Sequence, residues 1–352
     1  MTSRDSKFPR PALAIPRRTV LLGAGAAGAA LALGKMGSPA FAQQASAVRV
    51  SEAIHLGIYV SVYAAKFGGF FKKHGLDVAV SSAGGIAAAL PVVLSGNATF
   101  AVTGTGMSVN AATEGARVVN VAKIVGGMAM WAVAKPGANL KTVADFKGKT
   151  IATLRFPSST IQVPTYIMKE KGGFDAEAAG VKFLQLPPGA QAQAVLDGRA
   201  DFAAMFEWDA SIAKQQFGLE PVLSLGDFIA PAAFTTAMMP RAAVEKEPAM
   251  VQAFCNALAE TQVALHADRE LFVKTSIVEF PQVNEAVIRS AAENLLTKTQ
   301  AIPKAPTISK AEWDADITFE IAGGSIKAGR PYEEMVDNTF ATKAAAKFGK
   351  AG

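Results

Sequence analysis

One cysteine in 352 residues, Cys255, excludes an intramolecular disulfide and any zinc or cluster site built on several thiolates. Cys255 sits in the apolar-periodic stretch Val251, Phe254, Cys255, Leu258, where a small buried hydrophobe is the expected role. Only three histidines are present, His55, His74 and His266, on unrelated segments. There is no His-Glu-x-x-His, no Gly-x-Ser-x-Gly and no Walker loop. Thr103-Gly104-Thr105-Gly106 lacks the third glycine of a dinucleotide loop. These absences argue against an enzyme, and no cofactor and no metal are expected.

A long, strongly apolar run is also missing. Residues 19–34 are a Gly/Ala/Leu stretch, shorter than the roughly 20 strongly apolar residues a membrane span needs and interrupted by glycine. Arg4, Lys7, Arg10, Arg17 and Arg18 precede it, and Pro39-Ala40-Phe41-Ala42 follows with small residues spaced as a leader peptidase reads them. Residues 1–42 are therefore expected to be a signal peptide. Arg17-Arg18, followed by Val20, Leu21 and Leu22, resembles the twin-arginine export signal. Residues 1–42 hold six of the 35 Lys/Arg and one of the 29 Asp/Glu, so the remaining chain has a net charge of only about +1. That near-neutrality removes the electrostatic case for a nucleic-acid partner. No cysteine stands directly after the cut, so no lipoprotein anchor is expected.

From residue 43 onward, short apolar runs alternate with helical patterns, the signature of βαβ units around mostly parallel sheets. The spacing predicts one lobe over residues 43–132 and a restart after Met130-Trp131-Ala132-Val133-Ala134. A second lobe is expected over 133–231. Residues 232–340 are expected to return to the first lobe and continue as helices, and 341–352, rich in Ala, Lys and Gly, to form a disordered tail. Two lobes joined by two crossing segments form a cleft that closes by hinge motion.

Four segments together carry a family resemblance. They are Phe70-Phe71-Lys72-Lys73-His74-Gly75-Leu76-Asp77-Val78, Leu94-Ser95-Gly96-Asn97-Ala98-Thr99-Phe100-Ala101, Asp145-Phe146-Lys147-Gly148-Lys149-Thr150-Ile151-Ala152 and Ala194-Val195-Leu196-Asp197-Gly198-Arg199-Ala200-Asp201-Phe202-Ala203. In this order the chain resembles the nitrate/sulfonate/taurine family of periplasmic binding proteins over about residues 50–240, with Asn97 and Thr99 departing from the commoner choices. The resemblance implies the two-lobed α/β type II binding-protein fold, with a helical C-terminal third. It also implies a monomer in the periplasm that hands a small molecule to the permease subunits of an ABC transporter. A small organic anion or zwitterion (sulfonate-, taurine- or carboxylate-like) is the expected ligand. An amino-substituted heterocycle such as a pyrimidine precursor, or a sensor without transport, is the alternative.

In open α/β sheets ligands sit beyond the carboxyl ends of strands, where helix N-termini point. Three hydroxyl- or glycine-rich corners meet that description: Ser82 with Gly84, Thr103 with Thr105, and Ser158-Ser159-Thr160. Each could equally be ordinary helix capping. Aromatic candidates are Tyr59 after the first strand, Trp131 at the first crossing and Trp208 at the end of a second-lobe strand. Glu207 and Asp209 flank Trp208, and a buried carboxylate there would repel an anion unless the ligand carried a donor or a cation.

Overall fold

A computed structural model describes residues 45–349, so the expected signal peptide and its twin-arginine pair lie outside the described residues. The first lobe is laid down by β1 (Ser46–Glu52), α1 (Val60–Phe67), α2 (Phe70–Lys73), β2 (Leu76–Ser82), α3 (Ala89–Leu94), β3 (Phe100–Gly104), α4 (Gly106–Thr113) and β4 (Val118–Val125). Gly75, at φ 77°, adopts the left-handed turn that stops α2 and sets β2 beside β1 in the register Ser46 to Leu76. A first crossing, residues 126–129, then leads into the second lobe. It comprises β5 (Met130–Ala134), β6 (Thr150–Leu154), α5 (Ser159–Glu170), β7 (Lys182–Leu186), α6 (Gln191–Leu196), β8 (Phe202–Phe206), α7 (Asp209–Phe217) and β9 (Glu220–Ser224).

The chain returns through residues 225–234 into β10 (Thr235–Pro240) and then becomes helical. The helices are α8 (Arg241–Lys246), α9 (Pro248–Ala267), α10 (Arg269–Glu279), α11 (Glu285–Glu293), α12 (Lys310–Ala322), α13 (Tyr332–Met335) and α14 (Thr339–Phe348), with a π turn at Asn294–Lys298 after α11. None of the described helices is long and apolar enough to cross a membrane.

The two sheets share one design. The first runs β2-β1-β3-β10-β4 and the second β7-β6-β8-β5-β9. In each, three strands are parallel and the strand that has just crossed from the other lobe inserts antiparallel near the far edge: β10 between β3 and β4, β5 between β8 and β9. Each lobe is thus finished by a strand that follows a crossing. Where the crossings meet, a methyl on Gly226 would collide with the Met128 carbonyl, so bare backbone passes bare backbone at the hinge.

The expected lobe boundary after residue 132 falls inside β5. Trp131 pairs with Met205 of β8 and Ser224 of β9, so the second lobe begins at Met130. The expected disordered tail is also corrected: most of it is α14, which buries Ala341 and Ala344 and packs along α9. The small residues that look like a frayed end are what lets two helices approach closely. On α9, Phe254 stacks between Phe100 and Phe71 at 4.0 and 5.4 Å, and Cys255 is fully buried with its Sγ 3.6 Å from the Val121 carbonyl.

Candidate functional site

A cavity lies between the lobes. From the first lobe come Tyr59 after β1, Ile86 between β2 and α3, Gly104 at the end of β3 and Met107 at the start of α4. From the second come Pro157 and Ser159 at the start of α5, Gln162 one turn on, and Phe206 at the end of β8. The crossings contribute Met128 and Phe234 to the walls, and α12 contributes Glu320. The position is the one the strand ends dictate. The lobes are closed on it, leaving a cavity of only about 30 Å³.

Two contacts hold the lobes together over the cavity. The Gln162 amide on α5 donates to the Glu320 carboxylate and to Ser325 Oγ just beyond α12. Trp208 enters the other side, edge-on to Phe280 at 4.7 Å and to Phe272 at 6.3 Å, and covers Gly57 so closely that no side chain fits there.

Of the sequence-predicted residues, the structure brings Tyr59 and Ser159 to the cavity wall, with Gly104 between the paired threonines. The others have different employment. The buried Thr105 hydroxyl donates to the Ala233 carbonyl, and Thr103 Oγ1 donates to the Ile86 carbonyl at 2.7 Å. Ser158 Oγ caps α5 by accepting from the Thr160 N–H at 3.3 Å, while Thr160 Oγ1 accepts from the Leu154 N–H at 2.8 Å. Ser82 Oγ accepts from the Gly84 N–H on the exposed surface. These hydroxyls satisfy backbone groups that a turn or helix start leaves open, which is what Ser and Thr do at such places. Trp131 is half-buried against the core, away from the cavity lining. Trp208 is core at the lobe junction. Glu207 is buried, accepts hydrogen bonds from Ser211 and Asn294, and is held above its ordinary range by desolvation; desolvation likewise pushes Asp209 up to about 6.

The residues that sequence reasoning missed are polar. Glu320 is buried, lines the cavity, and receives the N–H of Gly106 at the start of α4 as well as the Gln162 amide and Ser325 hydroxyl. A methyl on Gly106 would lie 2.8 Å from its carboxyl carbon. One turn back on the same face, Asp316 is fully buried with neither carboxylate oxygen hydrogen-bonded. Desolvation first, then its neighbour's charge, raises Asp316 well above the usual carboxylate range, and desolvation raises Glu320. A signal was available: Trp313, Asp316, Ile317 and Glu320 share one helical stripe, so the acids stand where only apolar residues are cheap to bury.

Residues 57–269 match the protein family described as NMT1/THI5 like. YtlA of Bacillus subtilis (strain 168), whose name calls it a binding protein, is 24% identical over 302 residues, covering 84% of this chain and 89% of its own. Among solved structures, the alkanesulfonate-binding protein SsuA of Xanthomonas axonopodis pv. citri, bound to MOPS, superposes with a TM-score of 0.66 at 17% identity, covering 86% of this chain and 98% of its own. The periplasmic nitrate-binding protein NrtA of Synechocystis PCC 6803 gives 0.64 at 15%, covering 86% and 89%. The desulfurization enzyme DszB gives 0.63 at 11%, covering 86% and 99%. At these identities the structural likeness establishes a shared fold, the type II periplasmic binding protein fold.

Proposed function

Since the chain belongs to the NMT1/THI5-like family and folds as a type II periplasmic binding protein, we propose that it captures a small molecule between its lobes as the solute-binding component of an ABC importer. The observation that carries this reading is the cavity walled by both lobes, with Gln162 of one bonded to Glu320 and Ser325 of the other side across it. A ligand contacted from both sides favours the closed state, because it gains contacts there that the open state does not offer. The apolar walls from Tyr59, Met107, Phe206 and Phe234 suit a compact organic body, and Ser159 with the Gly104 backbone supplies polar contacts. Tyr59 and Ser159 are proposed as ligand contacts, and Thr105, Ser158 and Trp208 as supports of the frame.

Catalysis is not part of the proposal, although one solved neighbour is an enzyme. Cys255 is buried on α9 and does not line the cavity. His55 sits on the first-lobe surface, its Nδ1 2.8 Å from Glu52, and is absent from the lining as well.

The test is a ligand screen followed by solution scattering. A bound molecule is expected to raise the melting temperature and to reduce the radius of gyration as the lobes close. If no candidate solute stabilises the protein and the scattering profile never changes, the capture reading is wrong. Export before residue 43 is proposed from Arg17-Arg18, and changing both to lysine is expected to leave precursor in the cytoplasm. Normal delivery of that double variant would remove the twin-arginine assignment.

A further inference from the structure

Resting on the capture reading, the charge of the captured molecule can be read from α12. Among the described residues lining the cavity there is no lysine, arginine or histidine. The one ionisable acid on its wall is Glu320, and behind it, on the same helical face, stands Asp316. Among the described residues neither has a lysine, arginine or histidine ion-pair partner. A carboxylate taken out of water without a cation or a full set of donors is strongly disfavoured, and Asp316 is fully buried with both oxygens unpartnered.

Two features that would welcome an anion are already used. The N-terminus of α4 is the helix start expected to receive a ligand's negative group, yet its Gly106 N–H is spent on Glu320. One second-lobe donor reaching into the site, Gln162 Nε2, is spent on Glu320 and Ser325. Gln162 also shows what the Glu320 carboxylate accepts from across the cleft, which is an N–H group. An anion placed here would meet two buried acids and, among the described lining residues, no cation.

We propose that the cleft takes a small molecule bearing a protonated nitrogen, an amine or amidine on an apolar body, whose N–H groups bind Glu320 with Asp316 standing behind it. The aromatic walls agree with this polarity. Phe206, Phe234 and Tyr59 present ring surface, which attracts a cation and packs an apolar skeleton. Asp316 acts through Glu320: buried behind it without a partner, it gains from the bound cation the counter-charge that lets it ionise.

The experiment sets benzylamine and benzamidine against benzoate and benzenesulfonate, which are similar in size and opposite in charge, using calorimetry and thermal melts on the whole protein after residue 42. Both cations are expected to bind and stabilise. Glu320→Gln should weaken benzamidine by roughly tenfold or more, as for loss of a hydrogen bond to a charged group. Asp316→Asn should weaken it several-fold, with the melting temperature of the free protein held or raised in both variants. Tighter binding of either anion, or unchanged benzamidine affinity in Glu320→Gln, overturns the charge assignment while leaving capture intact. If none of the four probes binds, the charge assignment fails, and capture is then decided by the wider ligand screen alone.

Discussion

Thr105 has the properties of a ligand donor, a hydroxyl before a helix start on a strand's carboxyl end. Its Oγ1 instead closes a buried network. It donates to the Ala233 carbonyl and lies 3.3 Å from Thr236 Oγ1, which in turn donates to Asn120 at 2.6 Å, and Asn120 Nδ2 donates to Ser108 and to the Met335 carbonyl. Thr105→Val leaves the Ala233 carbonyl without that donor, at a cost of about 1–3 kcal/mol. The variant is expected to melt lower with ligand affinity nearly unchanged; lost affinity at an unchanged melting temperature would return Thr105 to the binding site. Asp316 and Glu320 predict a pH dependence of opposite sign to the usual one. Burial raises both in the folded state, so the native protein holds more protons than the unfolded chain. Stability contributed this way is complete below the ordinary carboxylate value of about 4 and is lost as pH rises through the raised folded values. Asp209, pushed up to about 6, acts in the same direction. Asp316→Asn is expected to raise the ligand-free melting temperature near pH 8 and to flatten its decline from about pH 5. A decline as steep as that of the parent protein would contradict this.

At the scale of elements, hydroxyls and short polar residues chiefly start helices. Ser158 caps α5, Asp268 caps α10 and Asn284 caps α11, and Ser309 with Glu312 forms a capping box on α12. The corner at Ser158–Thr160 was readable as ligand donors or as a cap, and for Ser158 and Thr160 the backbone took the oxygens. The α12 box bears on function because this helix carries the two acids and packs against α4 and α5. Ser309→Ala removes the acceptor for the Glu312 N–H and is expected to cost about 1 kcal/mol of stability. A denaturant melt measures it, and a neutral result would mean that tertiary packing alone holds the first turn. Apolar periodicity located most strands and the long helices from the sequence. It could not say that β5 joins the second sheet, since pairing with β8 and β9 is a long-range choice. Nor could it separate a frayed tail from α14, whose alanines are ordered by the face of α9.

For the whole molecule, closure depends on two places where a glycine of one side meets a large side chain of the other. Gly57 lies under Trp208, and a methyl on Gly323 would stand 2.6 Å from Gln162 Cβ. Gly57→Ala therefore inserts a methyl into the lobe junction. The variant is expected to fold with an unaltered melting temperature, to scatter with a larger radius of gyration, and to bind its ligand at least about tenfold more weakly, as a protein whose competent state is less populated does. A variant that closes and binds like the parent would show that the junction yields elsewhere.

The two-lobed alternation and the strand ends where the cavity opens are legible along the chain, because apolar spacing and turn glycines are local and act in each lobe alike. The sequence also nominated Tyr59 and Ser159, now on the cavity wall. The tertiary structure alone decided which hydroxyls remain for a ligand, because each buried carbonyl and N–H claims a partner first and those claims join residues as distant as Thr105 and Ala233. It also decided the polarity of the cleft. Asp316 and Glu320 lie more than 200 residues from Gly106, yet α12 folds back to set a carboxylate on the helix start that the local sequence offered to an anion.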